Sequence, residues 1–394
     1  MGNVWVLSAA FLMTAPAVFA GNPPGPSKWE LWTGGTKLRG ANVWKKRVEA
    51  VDGGEFGGGA VGPDYAPAAL KRLASWGANL VNISHPGVFT ERAPYVLEAP
   101  VAAGLERVLA DVAAADCFAV VSFRTGPGRN EAGFDQAEKN RADNRIWRDA
   151  AAQDGWVAMW KWTATKLKAN PVVVAYDLMV EPNANDVVLK LSEPAVFYAS
   201  HRGSKLDWNP LAARLIEAIR SVDADTPILI QPMDHGAAAW AGSLKLPSQP
   251  KLLVGVHHYE PFEYTHQEGG VSTYPGRLPD GSHFDRAWIE TSLKPVAGAR
   301  MALKVPVAVN ELGVKRTAPG ADRYLDDVLG GLEGLGMNHA VWLWESESPK
   351  ISYDEFNIRR GTDPAAKKDA PGNPLEKVLR KYWAKNTLRP SSRR

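Results

Sequence analysis

Two glutamates end strongly apolar runs in this chain of 394 residues. Glu181 closes the run VVVAYDLMVE, and Glu311 closes the run VPVAVNE. Cleavage of a glycosidic bond requires one carboxylic acid that donates a proton and one carboxylate that attacks carbon or activates water. The pair therefore predicts glycoside hydrolysis if both runs end at one face of the fold. For Glu181 taken alone, a salt-bridged strand end is the alternative.

Titratable residues on neighbouring runs could give the two carboxyl groups different pKa values. Burial raises the pKa of a carboxyl group and a nearby cation lowers it, so a partner for only one glutamate would separate their roles. Arg124, His257 and Tyr259 are the candidates. A metal site at His257 and His258 is the alternative, but adjacent residues of a strand point to opposite faces and cannot bind one ion. We expect no metal and no cofactor.

Other polar and aromatic residues that end apolar runs are candidate substrate contacts. The chain has 15 tryptophans, and an indole at a strand end could stack on a sugar ring. For His235, a structural role is the alternative to lining the cleft. The predicted substrate-binding residues are Asn42, Trp44, Asn82, Asn183, His235 and Trp344.

The elements that must position these residues alternate regularly along the chain. Nearly continuous apolar runs, typical of strands buried on both faces of a parallel sheet, alternate with helical patterns. We predict an α/β fold, a single-domain (β/α)8 TIM barrel in which the ends of the strands carry the site. An open doubly wound sheet is the alternative, although no Gly-rich phosphate loop follows a strand. The runs span residues 37–44, 78–84, 118–125, 172–181, 227–233, 252–259, 305–311 and 339–345.

The composition and the two ends of the chain indicate which binding partners and which cellular location to expect. The hydrophobic content of 45% and the net charge of +3 are those of a globular protein that does not bind nucleic acid. The apolar start, which ends in V-F-A, predicts a signal peptide at 1–20, with a membrane anchor as the alternative. We expect a catalytic domain at 21–386, a basic disordered tail at 387–394, and secretion or a periplasmic location. No membrane contact is expected after signal removal, and the oligomeric state stays open.

Several segments together resemble glycoside hydrolase family 5, the cellulase family of a retaining clan. They occur in the family's order: LRGANVW, GANLVNIS, VVVAYDLMVEP, VGVHHYEPFEYTHQ, VPVAVNELG and AVWLWES. The resemblance implies that Glu181 is the acid/base and Glu311 the nucleophile. It implies that His257 and Tyr259 hydrogen-bond the nucleophile and the reacting sugar, and that Trp344 stacks on a sugar. The expected substrate is a β-linked polysaccharide or oligosaccharide, with β-glucan favoured and mannan or a glycoconjugate as alternatives.

Three positions depart from the family pattern. Val180 stands where the family has the asparagine that binds the sugar 2-hydroxyl, Asn82 where it has an arginine, and Arg124 where it has a histidine. We hypothesise that Arg124 replaces the missing arginine and lowers the pKa of Glu311. The departures leave a carbohydrate-binding barrel without activity as the alternative function. Against it, two carboxylates in apolar surroundings are costly to keep without a use.

Overall fold

The computed structural model describes residues 25–45, 47, 67–134, 142–344, 354–366 and 368–393. Its centre is a closed barrel of eight parallel strands, which we number β1 to β8 in chain order. Each strand pairs with its neighbours in the sequence, and β1 also pairs with β8. The strands are Arg39–Trp44, Leu80–Pro86, Phe118–Thr125, Val173–Asp177, Ile228–Ile230, Leu252–His258, Val307–Leu312 and His339–Val341.

The barrel confirms the predicted fold, since all eight apolar runs contain a strand. Every residue of β4 is buried, as expected for a strand covered on both faces. The pairing of Arg39 with His339 closes the sheet and excludes the open alternative. Apolar side chains such as Leu80, Phe118 and Val174 fill the barrel interior. Cys117 is buried in the shell between strands and helices, as a small core residue.

Helices surround the barrel, and all of those we number except α4 overlap the predicted helical patterns. The helices are α1 Pro67–Ser75, α2 Ala99–Ala114, α3 Ala150–Leu167, α4 Pro194–His201, α5 Trp208–Arg220, α6 Arg286–Ser292, α7 Lys294–Leu303, α8 Ala321–Gly334 and α9 Pro374–Trp383. The helix α4 lies in the connection between β4 and α5. A single 3₁₀ segment, Ala238–Ser243, stands between β5 and β6 in place of a longer helix.

The C-terminal residues pack on the barrel and correct the expectation of a disordered tail. Pro390–Arg393 forms a 3₁₀ turn. The guanidinium of Arg389 donates a hydrogen bond of 2.5 Å to the Ala78 carbonyl, and Ser391 donates one of 2.6 Å to Asp116. These contacts lie just before β2 and β3, so basic side chains that look solvated in the sequence instead satisfy carbonyls at the amino end of the barrel.

The predicted signal peptide, residues 1–20, lies outside the residues that the structure describes. Within the described ranges, no helix has the length and apolarity needed to cross a membrane.

Candidate active site

A cleft of about 720 Å³ opens at the carboxyl ends of the strands. Most of the residues around it come from strand ends and the loops that follow them, the position expected for a barrel active site. It is lined by Trp44, Arg124, Glu131, Phe134, Glu181, Asp186, Asp234, His235, Ala237, His257, Tyr259, Glu260, Phe262, His266, Glu311, Trp342 and Phe356. Both predicted catalytic glutamates are therefore in one cleft.

Glu181 is positioned by its own backbone. Strand β4 ends at Asp177, and Glu181 lies four residues further on with a φ of 53°, in the left-handed region that L-residues rarely adopt. Arg129 donates hydrogen bonds of 2.7 Å to the carbonyls of Val180 and Glu181. The Glu181 amide donates to Oε1 of Gln231 at 2.8 Å. These bonds stabilise the strained residue and project its side chain into the cleft.

Glu311 lies within β7 and is held by the neighbouring strand. Register pairs it with His257 of β6, so the two side chains emerge side by side. Two residues after His257, the Tyr259 hydroxyl donates a hydrogen bond of 2.7 Å to Oε1 of Glu311. Burial and the charge of Glu311 raise the pKa of Tyr259 well above 10, so this hydroxyl stays protonated and the bond favours an ionised Glu311.

His257 lies between the two glutamates. Its Nδ1 is 3.0 Å from Oε1 of Glu181 and 3.6 Å from Oε1 of Glu311. One carboxylate oxygen of each glutamate and one nitrogen of His257 lie within 4.8 Å of one another. Among the described residues this is the one group of three donors close enough to hold a metal ion, but hydrolysis by two carboxylates needs none.

The adjacent His258 points away from the cleft, as the alternation of strand side chains requires. Its Nδ1 lies 3.1 Å from Glu260, and Nε2 is 3.4 Å from the Ser292 hydroxyl on α6. The two histidines therefore face different sides of β6 and have different partners.

Electrostatics separate the pKa values of the two glutamates. Burial and the charge of Glu181 raise the pKa of Glu311, against the opposing effect of His257. Burial acts to raise the pKa of Glu181, but its contacts with His235 and His257 hold that pKa well below the ordinary value. The first step implied by the family resemblance uses Glu181 in its protonated form.

Arg124 lies in the cleft, but its hydrogen bond goes to a residue that the sequence analysis did not single out. Its Nε donates to Oε1 of Glu131 at 2.5 Å. Its guanidinium carbon lies 3.9 Å from the centre of the Phe134 ring. The charge still lowers the pKa of Glu311, after the larger contribution of His257. Arg124 therefore acts on Glu311 through charge and not through a direct bond.

His235 lines the cleft as predicted and contacts carboxylates on the loop after β4. Its Nε2 lies 3.2 Å from Oδ2 of Asp186, and its Nδ1 lies 3.8 Å from Oε2 of Glu181. Burial acts to lower the pKa of His235, but the hydrogen bond to Asp186 and the nearby charge of Glu181 raise it to about 9.

Three asparagines predicted to bind substrate are buried and lie outside the lining of the cleft. The Asn42 amide donates to the Asn310 carbonyl at 3.0 Å, and Asn82 donates to Oδ1 of Asn42 at 2.5 Å. Asn183 donates to the Gly133 carbonyl at 3.3 Å. All three are buried and none lines the cleft, so their role is to support the strand ends.

Trp344, predicted to stack on a sugar, is not among the residues that line the cleft. It is fully buried and makes an edge contact with Trp76, with ring centres 4.9 Å apart. Strand β8 ends at Val341, so strand alternation no longer decides where Trp344 points. Trp342 lines the cleft instead, with its ring 5.6 Å from that of Trp44, which is in the cleft as predicted.

Sequence reasoning missed Arg129, Glu131 and Asp186. The turn GPGRN after β3 brings Arg129 and Glu131 back over the strand ends. Arg129 bonds to backbone carbonyls after β4, and Glu131 accepts from Arg124 on β3 itself. The cluster NAND after Glu181 was the available signal for Asp186.

Comparisons with known proteins agree with this geometry. A model of the cellulase family, glycosyl hydrolase family 5, matches residues 40–348, and the chain belongs to this family. An endoglucanase from Paenibacillus polymyxa is 27% identical over 175 residues, which is 40% of this chain and 38% of that relative. The chain thus matches well under half of the length of this relative.

Solved structures share the fold at low identity. An endoglucanase from Thermotoga maritima superposes with a TM-score of 0.65 at 17% identity, covering 90% of this chain and 100% of that one. A structure of that endoglucanase with mannotriose has a TM-score of 0.62 at 18% identity, covering 90% and 100%. The cellulose synthase subunit Z of Clostridioides difficile has a TM-score of 0.63 at 13% identity, covering 87% and 99%.

Proposed function

We propose that this protein is a retaining glycoside hydrolase that cleaves β-glycosidic bonds in a β-linked polysaccharide or oligosaccharide. Glu181 is the acid/base and Glu311 the nucleophile. The observation that carries the proposal is the approach of the two carboxylates, with one oxygen of each within 4.8 Å of the other. Retaining enzymes hold their carboxyl groups about 5 Å apart, whereas inverting enzymes leave roughly 6.5 to 9.5 Å for a water molecule.

The geometry supports a two-step reaction. Glu181 donates its proton to the glycosidic oxygen while the Glu311 carboxylate attacks the anomeric carbon and forms a covalent glycosyl ester. Glu181, now ionised, then takes a proton from water, which attacks the same carbon and releases Glu311. Tyr259 holds one oxygen of Glu311 and leaves the other free to attack. His257 contacts both glutamates and stabilises the carboxylate that is charged at each stage.

A β-glucan is the favoured substrate. Aromatic rings line the cleft on several sides, with Trp44 and Trp342 near β1 and β8 and Phe262 at the rim after β6. Phe262 is 66% exposed and stacks on His266 with ring centres 3.9 Å apart. Burial lowers the pKa of His266 to about 4, so the stacked pair is uncharged at neutral pH. Uncharged aromatic faces suit the apolar faces of neutral sugar rings.

A β-mannan is the second candidate substrate, because Val180 removes the family's amide contact to the 2-hydroxyl. Glucose and mannose differ in configuration at that carbon. Neither Asn183 nor Asn310, the possible replacements, lines the cleft. The Thermotoga maritima endoglucanase was solved with mannotriose, which favours testing both sugars.

The apolar start of the chain supports export to the periplasm or the medium.

A panel of β-glucan, β-mannan, xylan and aryl β-glycosides tests the proposal, with Glu311→Ala beside the wild type. We expect product release by the wild type on at least one substrate and none by the variant. Proton NMR of the first product should show the β-anomer. Binding without turnover in both proteins would support a carbohydrate-binding barrel instead, and an initial α-anomer would contradict retention.

A further inference from the structure

The loop after β5 presents His235 to the cleft in an unusual backbone conformation. Asp234 and His235 have φ values of 61° and 58°, and Gly236 follows with a φ of 78°. Side chains other than glycine rarely adopt this region, so two in succession persist only where surrounding contacts fix them. Those contacts come from the segment that follows Glu181.

Three hydrogen bonds join residues 182–185, after β4, to residues 234–235, after β5. Asn185 donates to Oδ1 of Asp234 at 2.7 Å, and the Asp234 amide donates to Oδ1 of Asn185 at 3.1 Å. The His235 amide donates to the carbonyl of Pro182 at 3.2 Å. The backbone of His235 is thereby fixed relative to Glu181, the residue immediately before Pro182.

The ring lies between two carboxylates. Nε2 is 3.2 Å from Asp186, and Nδ1 is 3.8 Å from Glu181, so the two nitrogens face different acids. With its pKa raised to about 9 by these acids, against burial, His235 is an imidazolium at neutral pH and carries a proton on each nitrogen. A hydrogen bond from His235 and the bond from Lys190, at 3.0 Å, lower the pKa of Asp186.

Other charged groups also act on this pair from the surrounding elements. Around Glu181 they are Arg124 and Arg129 from β3 and the loop after it, His257, Tyr259 and His266 from β6 and its loop, and Glu311 from β7; around His235 they are Asp186, Lys190 and Asp234. The contacts of His235 at 3.8 Å and of His257 at 3.0 Å lower the pKa of Glu181. His257 also faces Glu311, whereas His235 contacts Glu181 and Asp186.

We propose that Asp186 and His235 form a positioning pair for Glu181, in which Asp186 orients the imidazole and the imidazole holds the side chain of the catalytic acid. This inference rests on the proposed function of Glu181. It changes the role of His235 from the predicted substrate contact to a residue that acts through Glu181. A stronger acid protonates a weakly basic glycosidic oxygen more readily, but it keeps its proton only at lower pH.

The pH profile of kcat/KM tests the pair. Glu181 must be protonated, so its ionisation sets the basic limb of the profile. His235→Gln removes the charge, and Asp186→Asn removes the group that maintains it. In both variants the pKa of Glu181 rises, and we expect the basic limb to move up by about one pH unit. An unmoved basic limb in both variants would overturn the inference.

Glu260→Gln is the matched control for Asp186→Asn. Glu260 also lines the cleft and contacts a histidine, but that histidine is His258, which points away from Glu181. Its substitution removes one negative charge from the same cleft, and the basic limb should stay where the wild type has it. An equal shift in this control would assign the effect to overall charge and would also overturn the inference.

An NMR titration tests the pair without turnover, so its result is independent of the proposed function. The imidazole of His235 is followed in ¹⁵N-histidine-labelled Glu311→Ala and in the same background with Asp186→Asn. Assignment uses the His235→Gln spectrum. We expect the midpoint of His235 to fall by about one pH unit when Asp186 is replaced. An unchanged midpoint would show that Asp186 does not maintain the charge.

Discussion

Nδ1 of His257 lies 3.0 Å from Oε1 of Glu181, a contact between two residues 76 positions apart in the chain. The same nitrogen lies 3.6 Å from Glu311. The imidazole therefore links the two carboxylates that the proposed reaction uses in different protonation states. Since the pKa of Glu181 is lowered and that of Glu311 is raised, the roles of the two glutamates call for a direct test.

Chemical rescue by azide distinguishes the acid/base from the nucleophile. In Glu181→Ala the glycosyl-enzyme still forms from an aryl glycoside with a good leaving group, and azide attacks it to give the β-glycosyl azide. In Glu311→Ala azide attacks the substrate directly and gives the α-glycosyl azide. We expect Glu181→Ala to lose roughly 10²- to 10⁴-fold in rate on substrates with poor leaving groups. The opposite pairing of anomers with variants would exchange the two roles.

Replacing Arg124 should shift the acidic limb of the pH profile. The nucleophile Glu311 must be ionised, and the charge of Arg124 lowers its pKa. In Arg124→Ala that pKa rises, so the acidic limb moves to higher pH and activity below it falls. In Glu131→Gln the cation loses its carboxylate partner and acts more strongly on Glu311, so the limb should move down. Identical acidic limbs in wild type and both variants would contradict a role for Arg124.

Arg129 should control turnover without touching substrate. Arg129→Lys keeps the charge but loses the two parallel bonds to the carbonyls of Val180 and Glu181, so the acid/base is displaced. We expect kcat to fall roughly tenfold to a hundredfold with KM little changed. Arg145→Lys, at an exposed ion pair with Asp143, is the matched control and should behave as the wild type. Thermal unfolding would show whether the loss reflects global destabilisation.

Phe262 should bind a sugar unit distant from the cleaved bond. Phe262→Ala removes the exposed ring, and we expect KM for long oligosaccharides to rise roughly threefold to tenfold. Short aryl glycosides, which do not reach the rim, should keep their KM, and Phe262→Trp should restore binding. Val271→Ala changes another exposed apolar residue after β6, 80% exposed, and serves as the control. A rise in KM that is the same for short and long substrates would contradict a distal sugar site.

The catalytic side chains show how far sequence reasoning reaches. Glu311 and His257 lie at the carboxyl ends of β7 and β6, and Glu181 and Tyr259 follow β4 and β6 by a few residues. In a parallel barrel the carboxyl ends of all strands meet at one face. Trp342 and Trp344 could not be separated in this way, because β8 ends before both of them. Asn42 and Asn82 also lie near the ends of apolar runs, as the catalytic residues do. Their side-chain amides nevertheless bond to each other and to the backbone within the barrel.

The sequence by itself determined the barrel, its eight strands and the two glutamates at its mouth, because buried strands and the carboxylates after them leave local patterns. Only the tertiary structure decided what surrounds each carboxylate. Arg129 holds the backbone of Glu181 from 52 residues away, and His235 reaches it from a loop tied to Asp186 and its neighbours. Such contacts depend on how loops after different strands fold over one another, and side-chain direction beyond a strand end follows no sequence period.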